Sequence, residues 1–288
     1  MKAASFAYLR VVQLDEALEA LEALASAGGA AKAMSGCQSL GPMLNLRLAR
    51  PAQLVDVINI AGLRTVRATE EWMEIGAAVT HAEIEDGVHE LLRGHPMQRV
   101  AACIAYRAVR TRGTLGGSLA HADPAADWVV ALPALGARIR LQSLRGARTV
   151  ESDGFMLGAY TTVLRADELI VGVDVPRHTP TTRWGYHKLC RKPGEFAQAS
   201  AAAYFDASRN TARIVLGAVD GPPILLKQLA AAVLEQGAGA ASQAQLRSAV
   251  ASALPEHDAI DLQLFTACLA RALEKAGVVG VDAHGVRN

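Results

Sequence analysis

Cysteine is scarce and scattered. Cys37, Cys103, Cys190 and Cys268 are the four among 288 residues, with no CxxC and no Cys/His spacing. This chain therefore offers no zinc site and no iron–sulfur cluster ligands, and its thiols read as reduced and structural. Charge of one sign is lacking too: the formal net charge is +1, and the longest basic grouping, Lys188 to Lys192, is short and interrupted. Neither a nucleic-acid surface nor an anionic-membrane patch is supported. No apolar run approaches the roughly 18 residues needed to span a bilayer, so a soluble, cytoplasmic protein is expected. The dinucleotide fingerprint GxGxxG is absent. A Walker loop is nearly met by Gly36 to Gly41, but Pro42 stands where its lysine must be. Gly116-Gly117-Ser118-Leu119-Ala120 lacks the closing glycine of a nucleophile elbow, which argues against hydrolase chemistry.

Half of the residues are hydrophobic, with alanine filling much of that share, and nothing points to disorder. The length suits about two domains. One segment stands out: Arg112-Gly-Thr-Leu-Gly-Gly-Ser-Leu-Ala-His-Ala-Asp-Pro-Ala-Ala-Asp127. Its glycine pair offers bare backbone, Asp123 reads as an N-cap and Pro124 as the first helical position, so main-chain N–H groups here can face an anion. A second small-residue turn, Ser35-Gly36-Cys37-Gln38-Ser39, follows the apolar stretch Ala30 to Met34. Two separate cradles suit a ligand with two phosphates.

Leu14, Leu18, Leu21 and Ala25 recur at helical spacing, and Gly28-Gly29 follows as a stop. Strands are expected at Leu54 to Val57 and within Glu70 to Val79, and a capping box at Thr80 to Glu83 starts a short helix. One longer helix is predicted from Pro96 to Val109, another from Pro124 to Leu135 buried on one side, then strands at Ala137 to Gln142 and Leu169 to Val175. The segment Arg177 to Thr182 reads as a linker. Beyond it lie three strands, Trp184 to Leu189, Ser200 to Phe205 and Ala212 to Val219, followed by three helical patterns from about Ile224 to Lys275. Helices alternate with strands early and follow them late, which gives an α/β domain and then an α+β domain.

Several residues carry two readings. His121 and Asp123 have metal-ligand chemistry but no third partner nearby, and read as a loop histidine and a cap. Asp127, in the first turn of a predicted helix, is either a helix-dipole partner or an acceptor for ligand hydroxyls. Lys188 reads as a solvated charge, and Met43, Leu44, Leu46 and Leu48 as core.

Taken together, Met34-Ser-Gly-Cys-Gln-Ser-Leu40, Leu46-Arg-Leu-Ala-Arg-Pro51 and the Arg112 to Asp127 segment are similar to the FAD-binding medium subunit of molybdenum hydroxylases, the family of carbon monoxide dehydrogenase and xanthine dehydrogenase. The resemblance runs through Leu169 to Pro176 and Lys188 and covers essentially the whole chain. It implies an α+β protein: a PCMH-type FAD-binding domain of two α/β subdomains over residues 1–176, then a small α+β C-terminal domain, a three-stranded sheet plus helices, over residues 183–288. It implies FAD in this chain, held by Ser35, Gly36, Cys37, Gln38 and Ser39 and by Thr114, Leu115, Gly116, Gly117 and Ser118. By position it places Asp127 near the ribityl or ribose hydroxyls, Ile170 near the cofactor and Lys188 at the flavin edge. A molybdenum cofactor in a large partner subunit and two 2Fe-2S clusters in a small one follow, as a dimer of heterotrimers. This chain would collect electrons and hand them to an external acceptor, with no catalytic acid, base or nucleophile of its own and no metal. The oxidised substrate, whether carbon monoxide, an aldehyde, a purine such as caffeine or an N-heterocycle such as nicotine, is set elsewhere. One departure matters: the family's first motif usually reads Ala-Gly-Gly, whereas this chain has Ser35-Gly36-Cys37. Cys37 costs about 1–2 kcal/mol if its position needs a positive φ, and narrows the site if glycine serves only close approach; either way weaker FAD binding is expected, with a thiol open to oxidation beside the cofactor. Two alternatives remain open: a stand-alone flavin oxidoreductase resembling the enolpyruvyl-sugar reductases, and a scaffold subunit that has lost FAD.

Overall fold

The computed structural model describes residues 2–278. Among the described residues three larger sheets succeed one another along the chain, with a fourth of two strands. The first is parallel, with order β1-β3-β2 from β1 (Ala7–Arg10), β2 (Ala31–Met34) and β3 (Gln53–Asp56). Helix α1 (Leu14–Ser26) makes the crossover between β1 and β2, burying Ala17, Leu18 and Leu21, as its periodicity requires. Strand β1 carries no signal in the sequence: its four residues are exposed, and no hydrophobic alternation marks it. The short α2 (Leu40–Asn45) follows β2 after a five-residue turn.

The second sheet is antiparallel, with order β4-β5-β10-β6-β7 from β4 (Val66–Ala68), β5 (Trp72–Gly76), β6 (Arg138–Ser143), β7 (Gly146–Glu151) and β10 (Leu169–Pro176). Between β5 and β6 come α3 (His81–Glu85), α4 (Pro96–Ala102), α5 (Arg107–Arg110), α6 (Leu115–His121) and α7 (Asp127–Leu135); β8 (Met156–Gly158) and β9 (Thr161–Thr162) form a small hairpin after β7. The Thr80 capping box starts α3 as expected. The helix predicted from Pro96 to Val109 is instead two helices, because Ala105 sits at φ +41° between them.

The third sheet, β11-β12-β13-β14, comprises β11 (Thr182–Leu189), β12 (Ala199–Asp206), β13 (Thr211–Gly217) and a two-residue β14 (Ile224–Leu225) beyond the three strands anticipated. One face carries α8 (Lys227–Gln236), α9 (Gln243–Ala253) and α10 (Ala259–Lys275), with Phe205, Ile214, Leu216, Leu269 and Leu273 in a common core. The other face turns toward the first part of the chain. Tyr186, Ala202, Tyr204 and Val215 join Trp128, Val130 and Leu132 of α7 in the main hydrophobic core. Every residue of α7 is buried, not one side as its sequence suggested, because the helix is covered on both sides.

The segment between β10 and β11 is ordered by Asp206, whose carboxylate accepts from Thr179 Oγ1 at 2.9 Å, Thr181 Oγ1 at 2.7 Å and Ser208 Oγ at 2.7 Å. Among the described residues no helix is long and apolar enough to cross a membrane.

Candidate cofactor site

Ser35 to Ser39 form the turn between β2 and α2, at the carboxyl end of a parallel strand, where open α/β sheets place their ligands. None of their five main-chain N–H groups donates to an acceptor among the described residues. The Gln38 side chain braces the turn from within, donating to the Gly36 carbonyl at 3.0 Å. Cys37 takes φ +58°, so the strained alternative for this position is the one realised. A left-handed residue within a turn lets successive N–H groups converge, the geometry of an anion-binding nest. Ser35 Oγ is buried and has no hydrogen-bond partner. Burial and the Asp56 carboxylate push the Cys37 thiol up, against the nearby Arg112 guanidinium. The neutral thiol prevails at neutral pH, which argues against the expected reactivity.

The two sequence segments meet. A side-chain carbon on Gly36 would lie 1.9 Å from the Arg112 carbonyl oxygen and 2.9 Å from Gly113 Cα, so only glycine lets this turn press onto the second segment. That segment differs from its expected form. Its glycine pair lies inside the first turn of α6, capped by Thr114, and not in a loop. The N–H groups of Leu115 and Gly116 donate to Val79 and Ala77 carbonyls at 3.0 and 2.8 Å, Gly117 to Thr114 Oγ1 at 3.2 Å, and Ser118 to the Thr114 carbonyl at 3.0 Å. Of these five residues only Thr114 keeps its amide free; Ser118 adds a half-buried hydroxyl. Gly116 is glycine for packing: its Cβ would fall 2.6 Å from Ala77 Cβ. The helix expected to begin at Pro124 begins at Asp127, after Ala126; Asp123 caps only a turn, accepting from Ala125 N–H at 2.9 Å. The second segment is thus a wall for the first, while the donors come mainly from Ser35 to Ser39.

From Gly113 a buried track leads away from the cradle. His81 N–H donates to the Gly113 carbonyl at 2.9 Å, and His81 Nδ1 accepts the indole N–H of Trp128 at 3.1 Å. Burial, aided by Arg110, drops the His81 imidazole to about 4, so it stays neutral. Next to Trp128, Asp127 opens α7 with 6 % of its surface exposed. Its Oδ1 accepts from Tyr186 Oη at 2.7 Å, and Lys188 Nζ lies 3.2 Å from both carboxylate oxygens and 2.9 Å from the Cys103 carbonyl. Lys188 is therefore a buried partner, its side chain 6 % exposed, and not a solvated charge. Ile170 is 4 % exposed and packs in the main core beside a bulge in β10. The sequence alone does not single out His81 or Tyr186. The capping box placed His81 on α3, and the alternation of β11 puts Tyr186 on the face of Lys188, but neither signal named a partner.

A model of the FAD binding domain in molybdopterin dehydrogenase matches residues 4–178. The chain is 35 % identical over 225 residues to the nicotine 6-hydroxylase medium subunit of Paenarthrobacter nicotinovorans, covering 77 % of each. It is 37 % identical over 193 residues to the carbon monoxide dehydrogenase medium chain of Hydrogenophaga pseudoflava, covering 67 % of each. Among solved structures, carbon monoxide dehydrogenase from Hydrogenophaga pseudoflava superposes with a TM-score of 0.83 at 30 % identity, over 96 % of this chain and 99 % of that one. Quinoline 2-oxidoreductase from Pseudomonas putida 86 does so at 0.82 and 31 %, over 96 % and 98 %.

Proposed function

The chain belongs to the family of FAD-binding domains of molybdopterin dehydrogenases, and we propose that it serves as the electron-transfer subunit of a molybdenum hydroxylase. In this reading a small partner subunit with two 2Fe-2S clusters delivers electrons drawn from a substrate oxidised at the molybdenum cofactor of a large subunit. This chain passes them to an external acceptor. A dimer of heterotrimers is the proposed assembly.

The residues present fit FAD. A diphosphate ester asks for several uncharged donors converging from backbone, and Ser35 to Ser39 offer five free amides. The observation that carries the reading is Ser35 Oγ, buried without a partner. Such a group costs about 1–3 kcal/mol unless a ligand satisfies it. Arg112 adds positive charge next to the turn.

FAD supplies the redox chemistry when bound; the chain binds, orients and tunes it. Ser35 to Ser39 would hold the diphosphate, with Thr114 to Ser118 as the wall of the site. Asp127 and Lys188 stand at the seam with the third sheet, where the Lys188 ammonium would favour the electron-rich form of a neighbouring ring. Lys188 would stand at the flavin edge, and Asp127 would meet the ribityl or ribose hydroxyls.

Co-expression with the partner subunits tests the reading: the purified complex should be yellow, with one FAD for each copy of this chain. A folded but colourless complex overturns it in favour of a scaffold; substrate turnover by the isolated chain favours a stand-alone oxidoreductase. Within a flavin-loaded complex, Lys188→Ala should lower the flavin midpoint potential; an unchanged potential contradicts the role given to Lys188.

A further inference from the structure

The ion pair at the seam has a third member. Tyr186 lies two residues before Lys188 in β11, on the same face, opposite the small Ala202 of β12. It is 6 % exposed, and its hydroxyl donates to Asp127 Oδ1. The distances are unequal. The phenol sits 2.7 Å from the carboxylate, whereas Lys188 Nζ stands 3.2 Å from each oxygen, outside the 2.7–2.9 Å of a tight ammonium–carboxylate bond. Asp127 is thus drawn toward the phenol and holds Lys188 loosely.

We infer that Tyr186 is a positioning residue: its hydroxyl takes up part of the Asp127 charge and keeps the carboxylate from closing on Lys188, so that Lys188 presents a net positive charge to the flavin. This rests on the reading above that the ring lies beside Lys188. The three N–H groups of the ammonium meet one short acceptor, the Cys103 carbonyl at 2.9 Å, and the two longer contacts to Asp127 at 3.2 Å, so the carboxylate is the partner whose hold on Lys188 can vary. The phenol stays protonated for the purpose, since burial and the adjacent Asp127 carboxylate push it well above its ordinary range. Without it, a carboxylate in a low-dielectric seam is expected to move onto the ammonium and cancel more of its field.

The test is a spectroelectrochemical titration of the flavin in the assembled complex carrying Tyr186→Phe, which keeps the ring and removes the hydroxyl. Oxidised FAD should bind as in the wild type, while the reduced form is held about tenfold less tightly, a fall of roughly 30 mV for a two-electron couple. In a Lys188→Met background the same change should shift nothing further. Conversely, 3-fluorotyrosine at position 186, an isosteric and stronger donor, should raise the potential. Identical potentials in wild-type, Tyr186→Phe and fluorotyrosine proteins overturn the inference, as does an equal shift with Lys188 absent. Should Tyr186→Phe fail to fold, the fluorinated protein decides alone. A wild-type complex without flavin instead overturns the functional reading on which the inference stands.

Discussion

Cys37 shows how far a single residue can be read from sequence. Its position in a glycine-rich pattern posed the right question, and the answer, φ +58°, needed the backbone. A non-glycine residue there stores about 1–2 kcal/mol. Cys37→Gly is therefore expected to raise stability by about 1 kcal/mol in urea unfolding, a gain cut somewhat by the greater freedom of glycine in the unfolded chain. No gain, or a loss, would show that the thiol contributes more packing than its conformation costs. The place of Ser35 after an apolar stretch puts it in a small-residue cradle, but the burial of its unpaired hydroxyl is not legible in the sequence, because it depends on the second segment folding over the turn. The same holds for Lys188. In its local sequence it reads as a solvated charge, because Asp127, its partner, lies 61 residues away.

At the scale of elements, periodic segments were readable and special backbones were not. Helices α1 and α10 declare themselves by apolar spacing, and α3 by its capping box. The glycine pair misled in an instructive way: bare backbone suits an anion, but it equally suits two elements packed at close range. Here α6 lies against the end of β5, and the amides of Leu115 to Ser118 are used within the chain. The two uses make opposite demands on Gly116→Ala. Helix propensity alone favours alanine by about 1 kcal/mol, yet its methyl carbon would meet Ala77 Cβ at 2.6 Å and the Ala77 carbonyl oxygen at 3.0 Å. Overpacking should win, so this substitution is expected to lower stability by about 1–3 kcal/mol. Differential scanning calorimetry showing an unchanged or higher Tm would mean that α6 can shift freely and is not the fixed wall described.

For the whole molecule, alternation of strands and helices gave the succession of an α/β and an α+β region, but the burial of α7 on both sides is a property of their union. Histidines record that union. His81, His95 and His178 are held neutral by burial, with imidazoles lowered to about 4, 3 and 4 from 6.5. His95 and His178 stack edge to face with centroids 4.3 Å apart, joining α4 to the segment before β11. Because each folded value lies below the unfolded one, the unfolded chain binds more protons between pH 6.5 and about 4, and through His95 down to about 3. Stability is full above that window and lost as pH falls through it, by about 1.4 kcal/mol per pH unit for each histidine. His95→Asn, which retains a side-chain acceptor for the α4 cap, should flatten the slope of unfolding free energy against pH by about that amount. A slope identical to wild type would show that His95 titrates alike in both states.

The site itself is tested most directly by comparing ligands that differ in their phosphates. Calorimetric titration of the flavin-free chain with FAD and with riboflavin should give much tighter binding of FAD. Ser35→Ala should weaken FAD by about tenfold or more, the worth of a hydrogen bond to a charged group, while leaving riboflavin alone. Equal affinities for the two flavins, or a Ser35→Ala chain that binds FAD as well as wild type, would contradict a diphosphate held by the free amides of Ser35 to Ser39.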